Sequence, residues 1–142
     1  MMFGRKKRRI EKLLVVEDEP LVAFDNEHVL EEAGYTIVAT VDRASAAVEV
    51  IASGKAVDLV LVDVSLTDGT GLDVARAAFA RAIPALFVTG NCPPQAQHFA
   101  AGCLAKPYQQ RDLLAAIEAV EAVADGRAPK RMPSGLRLFE RV

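Results

Sequence analysis

The stretch LVLVDVSLTDGTG, from Leu59 to Gly71, decides the fold of this chain. Its first four residues form an unbroken apolar run, which is typical of a strand buried on both faces of a parallel sheet. Asp63 follows this run directly, and the turn-forming residues after it predict a loop. The segment therefore predicts a buried strand that carries a carboxylate to one edge of a sheet.

Three other segments repeat this arrangement of a short apolar run followed at once by a polar residue. The runs are LLVV (13–16), ALFV (85–88) and CLA (103–105), and the residues that follow them are Glu17 with Asp18, Thr89, and Lys106. The carboxyl ends of parallel strands meet at one edge of a sheet, where ligands bind in open α/β folds. The sequence therefore predicts carboxylates, a hydroxyl and an ammonium group in one site.

Segments with a helical period separate the apolar runs. The predicted helices are 20–34, 44–53, 72–80, 95–101 and 111–125, and TIVAT (36–40) is a further strand. Five β/α units in succession predict an α/β fold with a five-stranded parallel sheet, doubly wound, with helices on both faces.

The length of 142 residues predicts one domain, which we assign to residues 12–125. A basic N-terminal flank (1–11) and a basic C-terminal extension (126–142) border it. Residues 1–12 hold six Lys and Arg, and residues 127–142 hold five, so the segment between them keeps 6 of the 17 basic and 17 of the 19 acidic residues. An acidic body repels phosphate backbones, so we expect the folded domain not to bind nucleic acid.

Composition also bounds the location of the chain. No apolar stretch approaches the roughly 18 residues that a membrane span needs, and the basic N-terminus lacks the pattern of a secretory signal. We therefore expect a cytoplasmic protein with reduced thiols at Cys92 and Cys103. In the C-terminal extension, we expect Leu136, Leu138 and Phe139 to dock on the body or on a partner.

The predicted edge cluster suits a divalent cation. Mg²⁺ prefers about six oxygen ligands and usually takes one or two carboxylates together with phosphate and water. Asp18 and Asp63 suit direct coordination, the backbone carbonyl of Ser65 is a third candidate, and Glu17 can hold a metal-bound water.

The same cluster suits phosphoryl transfer. A carboxylate is a competent nucleophile toward phosphorus and gives an aspartyl phosphate, which here would form on Asp63. Lys106 would neutralise one phosphoryl oxygen, and Thr89 would donate a hydrogen bond to another.

Several other polar residues near these motifs have structural interpretations. Asp58 precedes the strand that Asp63 follows, so it belongs to the opposite edge, roughly 16 Å away by strand rise. Thr70 and Asp73 stand in capping-box spacing before a helix. Asp68, followed by a glycine, predicts a turn.

The segments LLVVEDEP, LVLVDVSLTDGTG, LFVTGN and CLAKPY closely resemble the receiver domain of two-component response regulators, in the family's order and spacing over about residues 12 to 125. The resemblance implies the flavodoxin-like form of the fold, and it implies Mg²⁺ together with a phosphoryl donor that is a histidine kinase or a phosphotransfer protein. It assigns the roles of phosphoacceptor to Asp63, acidic pair to Glu17 and Asp18, switch hydroxyl to Thr89, family lysine to Lys106, and loop-closing glycine to Gly71.

The chain departs from the common receiver pattern at three places. Thr67 stands where many receivers carry a proline, and Cys103 stands where many carry an aromatic residue that reports activation. Thr89 is followed by Gly90 within a Phe-x-Thr-Gly motif, which is similar to a receiver subgroup that lacks the aromatic switch. We therefore expect Gly90 and Cys103 to modulate switching, and we expect Asn91, with Ser65, to influence hydrolysis of the phosphorylated state.

The leading interpretation is a phosphoacceptor signalling protein, not an enzyme beyond its own phosphorylation and dephosphorylation, without an attached output domain. A downstream protein would recognise one of two conformations, and the resemblance implies a homodimer through the face from the fourth predicted strand to the last helix. One alternative is a receiver-like binding module that is never phosphorylated. A remote alternative is a dehalogenase-type phosphatase, because DVSLT (63–67) faintly resembles that family's DxDxT motif but carries Ser65 at the general-acid position.

Overall fold

A computed structural model describes residues 9–66 and 68–139 of the chain. The strands of the described residues are β1 (Lys12–Val16), β2 (Thr36–Val41), β3 (Leu59–Val62), β4 (Ser65–Leu66), β5 (Gly69–Thr70), β6 (Ala85–Thr89), β7 (Gly102–Ala105) and β8 (Leu136–Leu138). Six of them form the main sheet, in the order β2-β1-β3-β6-β7-β8, and β4 and β5 form a small hairpin. The helices are α1 (Pro20–Glu32), α2 (Ala44–Ala52), α3 (Gly71–Ala80), α4 (Ala96–Phe99) and α5 (Gln110–Ala124).

The first five strands of the main sheet run parallel, which confirms the predicted fold class. β2 and β3 lie on either side of β1, so the strand order reverses there. Ligands of open α/β sheets bind outside the carboxyl ends of the strands at such a reversal. The topology therefore directs attention to the residues that follow β1 and β3.

The helices cover both faces of the sheet because successive strand residues point to opposite sides. In β1, Leu13 and Val15 join a core cluster that includes residues of α1 and α5. Leu14 and Val16 join a second cluster that includes residues of α2 and α3. The continuous apolar runs thus fill two cores at once, as expected for central parallel strands.

The hairpin after β3 also shapes the starts of two helices. Thr70 caps α3, because its hydroxyl accepts a hydrogen bond from the backbone N–H of Leu72 at 3.0 Å. The carboxylate of Asp68 accepts hydrogen bonds from the backbone N–H groups of Ala44 and Ser45, at the start of α2. The predicted cap at Thr70 and the predicted turn at Asp68 are confirmed, and the link from Asp68 to α2 is additional.

The prediction of five strands was short by one, because the C-terminal extension contributes β8. This strand pairs antiparallel with β7, matching Gly102 with Leu138 and Leu104 with Leu136. Leu136 is 8% exposed and belongs to the first core cluster. Leu138 and Phe139 pack against the two clusters, so the expectation that these apolar residues dock on the body is confirmed.

The described end of the N-terminal flank is also tied to the body. The backbone N–H groups of Arg9 and Ile10 donate to the Glu121 carboxylate at 2.6 and 2.7 Å. The guanidinium of Arg9 pairs with Asp125 at 3.0 Å. Residues 1–8 of the basic flank and 140–142 of the extension lie outside the described residues. Among the described helices, none has the length and apolar character of a membrane-spanning segment.

Candidate functional site

The end of β1 and the end of β3 place two buried acidic residues side by side. Val16 pairs with Val62 in the parallel register, so Glu17 and Asp63 leave the sheet at the same level. The backbone N–H of Asp63 donates to the Val16 carbonyl at 3.0 Å, which extends the ladder by one step. Glu17 is 5% exposed and Asp63 is 8% exposed.

Lys106 joins these two carboxylates from the end of β7. Its Nζ lies 2.9 Å from Glu17 Oε1 and 3.1 Å from Asp63 Oδ2. Its backbone N–H donates to the Thr89 carbonyl at 2.9 Å, which fixes the residue to the end of β6. Residues separated by 89 and 43 positions along the chain therefore meet in one ion-paired cluster.

Four acidic residues surround this point. Glu17, Asp18, Glu19 and Asp63 each offer a carboxylate oxygen, and these four atoms lie within 4.8 Å of one another. Mg²⁺ takes hard oxygen donors, usually one or two carboxylates together with water and phosphate. The half-buried Asp18 and the exposed Glu19 leave one side of the cluster open to solvent. The donor set therefore fits the predicted metal.

Sequence reasoning missed Glu19. Its Oε1 lies 3.8 Å from Lys106 Nζ, and its backbone N–H donates to Glu17 Oε2 at 3.1 Å. The signal was present in the run of three acidic residues after β1. Only the position of its side chain distinguishes Glu19 from an ordinary surface charge, and that position cannot be read from the sequence.

Ion pairing and burial shift the pKa values of Glu17 and Lys106 in opposite directions. Burial raises the pKa of Glu17, and the hydrogen bond from Lys106 only partly offsets this. Burial would lower the pKa of Lys106, but its hydrogen bonds to Glu17 and Asp63 outweigh burial, so that pKa lies above its ordinary value of 10.5. These contacts therefore favour the charged form of Lys106 at the centre of an acidic site.

Thr89 lies at the same sheet edge, at the end of β6, and is 7% exposed. Its hydroxyl accepts a hydrogen bond from the Asn91 backbone N–H at 3.2 Å and donates to the Asn91 carbonyl at 3.4 Å. Gly90, between them, is exposed, and a Cβ built on it would meet no atom within 4 Å. The hydroxyl therefore holds the loop after β6 in this structure, with Asn91 as its partner.

The loop after β3 packs closely behind Asp63. The backbone N–H of Ser65 donates to Asp63 Oδ1 at 3.3 Å, and Gly71 donates its N–H to the Val64 carbonyl at 2.7 Å. A Cβ on Gly71 would overlap the carbonyl oxygen of Asp63 and approach the ring of Phe87. Glycine is required here because of this close approach.

Cys103 stands apart from the charged cluster. It is 3% exposed in the second core cluster and lies opposite Phe87 in the β6–β7 register. Burial and the neighbouring thiol of Cys92 raise its pKa above the ordinary value of 9.0. Cys103, which the sequence predicted as a modulating residue, thus lies in the core, three positions before Lys106.

The segment after Lys106 is fixed to α1 by a contact that sequence reasoning did not identify. The Tyr108 hydroxyl donates to Asn26 Oδ1 at 2.9 Å, and Asn26 is a buried residue of α1. An open cleft of about 470 Å³ lies between these two elements and borders Lys106 and Glu19. The charged cluster is therefore reachable from this side.

Comparison with known proteins agrees with this geometry. The family model described as the response regulator receiver domain matches residues 13–118, which is well over half of the chain. The match includes β1, β3, β6 and β7, whose ends carry the cluster.

Three known proteins illustrate the similarity. Phyllosphere-induced regulator PhyR of Methylorubrum extorquens is 32% identical over 116 residues, which cover 75% of this chain and 42% of PhyR. Transcriptional regulatory protein PdtaR of Mycobacterium tuberculosis is 34% identical over 113 residues, which cover 75% of this chain and 55% of PdtaR. The chain thus spans about half the length of these relatives. Among solved structures, the non-phosphorylated HemR receiver domain of Leptospira biflexa has a TM-score of 0.70 at 28% identity, covering 79% of this chain and 94% of that domain.

Proposed function

This chain belongs to the response regulator receiver family, and we propose on that premise that Asp63 accepts a phosphoryl group from a histidine kinase or a histidine phosphotransfer protein. The observation that carries the proposal is the contact of Lys106 with both Asp63 and Glu17 inside the acidic cluster. A nucleophilic carboxylate, a cation and a set of oxygen donors are the groups that this reaction needs.

In the transfer step, an Asp63 oxygen forms a bond to phosphorus while the phosphorus–nitrogen bond of the donor histidine breaks. The electron pair of that bond goes to the imidazole of the donor. Lys106 Nζ, which lies 3.1 Å from Asp63 Oδ2, would stabilise the negative charge that develops on a phosphoryl oxygen. The contribution of the protein is thus positioning and charge stabilisation.

Magnesium belongs to the same proposal. Asp18 and Asp63 would bind it directly, together with the backbone carbonyl of Ser65, and Glu17 would bind through a water. When bound, Mg²⁺ would supply positive charge beside the phosphoryl oxygens. The clustering of the carboxylate oxygens supports this assignment.

Thr89 would convert the chemistry into a conformational signal. To donate its proton to a phosphoryl oxygen, the hydroxyl must leave the Asn91 carbonyl that it contacts now. The loop from Gly90 onward would then change conformation, and a downstream protein would prefer one of the two states. We include a homodimer through the face from β6 to α5 as one readout of this switch, which sedimentation with and without a phosphoryl mimic would test.

The test is labelling with a small phosphodonor such as acetyl phosphate, with and without Mg²⁺. We expect labelling that requires Mg²⁺ and disappears in Asp63→Asn. Asp58→Asn is the matched control, because Asp58 flanks the same strand at its other end and accepts hydrogen bonds from the Glu11 and Lys12 backbone. Absence of labelling in the unaltered chain would favour a binding module that is never phosphorylated.

A further inference from the structure

The C-terminal strand β8 is bonded to β7 along its whole length. Beyond the paired residues, Ala105 donates its N–H to the Gly135 carbonyl at 3.0 Å, and Phe139 donates to the Ala101 carbonyl at 2.9 Å. Gly135 adopts a φ of +88°, a left-handed conformation that favours glycine and turns the chain into the strand. This ladder runs from the start of β7 to the residue directly before Lys106.

Gly102 is matched to this strand. The three nearest atoms to a Cβ built on Gly102 all belong to β8, the first being the Arg137 carbonyl oxygen at 2.7 Å. The other two are atoms of Leu138, at 3.2 and 3.5 Å. The absence of a side chain at Gly102 is therefore a requirement for docking β8.

Lys106 consequently has backbone support on both sides of its strand. On one side its own N–H binds the Thr89 carbonyl of β6, and on the other side the preceding residue, Ala105, binds Gly135. Without β8, β7 would be the edge strand of the sheet, with unpaired backbone groups along one side. Segments with fewer contacts open locally at a lower free energy. β8 thus supports the strand that ends directly before Lys106.

We propose that β8 is a positioning element for Lys106, so that the reactive arrangement of the site depends on docking of the C-terminal extension. This inference rests on the proposed phosphorylation of Asp63 and adds a segment that lies beyond residue 125. Because coupling is reciprocal, a phosphoryl group held by Lys106 must in turn stabilise docking of β8.

The experiment uses the full chain with three variants. Leu136→Asp puts a carboxylate at a position that is 8% exposed and releases β8. Gly102→Ala displaces β8 by a change in β7, because the added Cβ would lie 2.7 Å from the Arg137 carbonyl oxygen. Ser134→Asp adds the same charge at an exposed position in the same segment and is the matched control.

We expect Leu136→Asp and Gly102→Ala each to lower the phosphorylation rate at saturating Mg²⁺ by roughly tenfold, because small misplacement of a catalytic group is costly. The apparent affinity for Mg²⁺ should not weaken, since the acidic ligands follow β1 and β3 and not β7. Adding Gly102→Ala to Leu136→Asp should change the rate by less than about twofold, because both act through one strand. A general loss of structure would instead weaken Mg²⁺ binding and rate together and would overturn the inference.

Hydrogen exchange at the Lys106 amide tests the positioning without any phosphodonor. Faster exchange in Leu136→Asp than in Ser134→Asp is the expected result, and equal exchange would overturn the inference. Trypsin cleavage after Arg137, within β8, should slow when beryllofluoride and Mg²⁺ are added. If the unaltered chain is not labelled, the proposed function fails, whereas equal labelling of all variants defeats only the role of β8.

Discussion

Lys106 is the residue on which the proposed chemistry of this site depends. It is the cation of a cluster in which two buried carboxylates lie within 3.1 Å of its ammonium group. Removing one member of a buried ion pair leaves the other charge unpaired, which destabilises a protein more than replacing both members by apolar residues. Since the Lys106 side chain is 20% exposed, solvent reduces this cost but does not remove it.

We therefore expect Lys106→Met to lower the free energy of unfolding by about 1–3 kcal/mol in the absence of metal. Added Mg²⁺ should raise the melting temperature of the variant more than that of the wild type, because the ion restores positive charge near the carboxylates. The phosphorylation rate should fall by roughly 100-fold. Calorimetry with a Mg²⁺ titration checks the first two effects, and Lys130→Met, at an exposed site, controls for net charge. Equal stabilisation by Mg²⁺ in both proteins would contradict the argument.

Two glycines near the site give a matched pair at the same scale. Gly71→Ala forces a methyl group against the Asp63 carbonyl oxygen. We expect the free energy of unfolding, measured with denaturant, to fall by about 1–3 kcal/mol and labelling by acetyl phosphate to weaken. Gly90→Ala enters open space, so its stability should change by less than about 0.5 kcal/mol. Gly90→Ala should nevertheless alter phosphorylation or partner binding through the loop after Thr89. Unchanged behaviour of Gly90→Ala in both functional assays would remove that loop from the switch.

At the scale of elements, the β4–β5 hairpin connects the site to α2. The residue before α2, Arg43, provides no side-chain cap. Asp68 instead reaches the helix start from 23 and 24 residues away, binding the N–H groups of Ala44 and Ser45 and the Ser45 hydroxyl. A carboxylate at a helix N-terminus also interacts favourably with the helix dipole.

This contact gives a pH-dependent prediction. The Ser45 hydroxyl, with the backbone N–H groups, lowers the pKa of Asp68 below its ordinary value of 3.8. A lowered folded-state pKa means that the stabilising effect is present above the ordinary value and is lost as the pH falls through the folded-state value. The melting temperature of Asp68→Asn should therefore lie below that of the wild type at neutral pH, and the gap should close below the ordinary pKa of 3.8. A gap that stays constant as the pH falls below 3.8 would contradict the role of this carboxylate at the start of α2.

At the scale of the whole molecule, the carboxyl ends and the amino ends of the parallel strands hold different groups of residues. The carboxyl edge holds the acidic cluster, Thr89 and Lys106. The opposite edge holds structural contacts, including Asp58 with the backbone of Glu11 and Lys12 and Glu121 with the backbone of Arg9 and Ile10. Lys106 places a positive charge among the like charges of the carboxyl edge.

Binding of beryllofluoride with Mg²⁺ should therefore change the molecule unevenly. We expect NMR shift changes in the loop from Gly90 to Pro94 and along β7 and β8, because Lys106 contacts Asp63 and its backbone N–H binds the Thr89 carbonyl. The amides near Asp58 and Glu121 should change little. Shift changes confined to the metal ligands would contradict transmission through Thr89, and Asp63→Asn should abolish the whole pattern.

Local pattern predicted much of this protein. Unbroken apolar runs identified the parallel strands, and the polar residue after each run identified Asp63, Thr89 and Lys106 for the same sheet edge. These inferences succeed because strand burial and the common direction of parallel strands follow from short-range sequence. The same reasoning separated Asp58 from Asp63, although the two residues flank one strand.

What only the tertiary structure decided are pairings between distant surfaces. The segment of β8 is three residues long and lacks a clear period, and it becomes a strand because β7 offers a free edge and Gly102 leaves space for it. Asp68 caps a helix that precedes it in sequence, and Glu19 joins the cluster through the position of its side chain. Such contacts depend on the fit of two surfaces brought together by folding, whereas a local pattern records the preferences of only one of them.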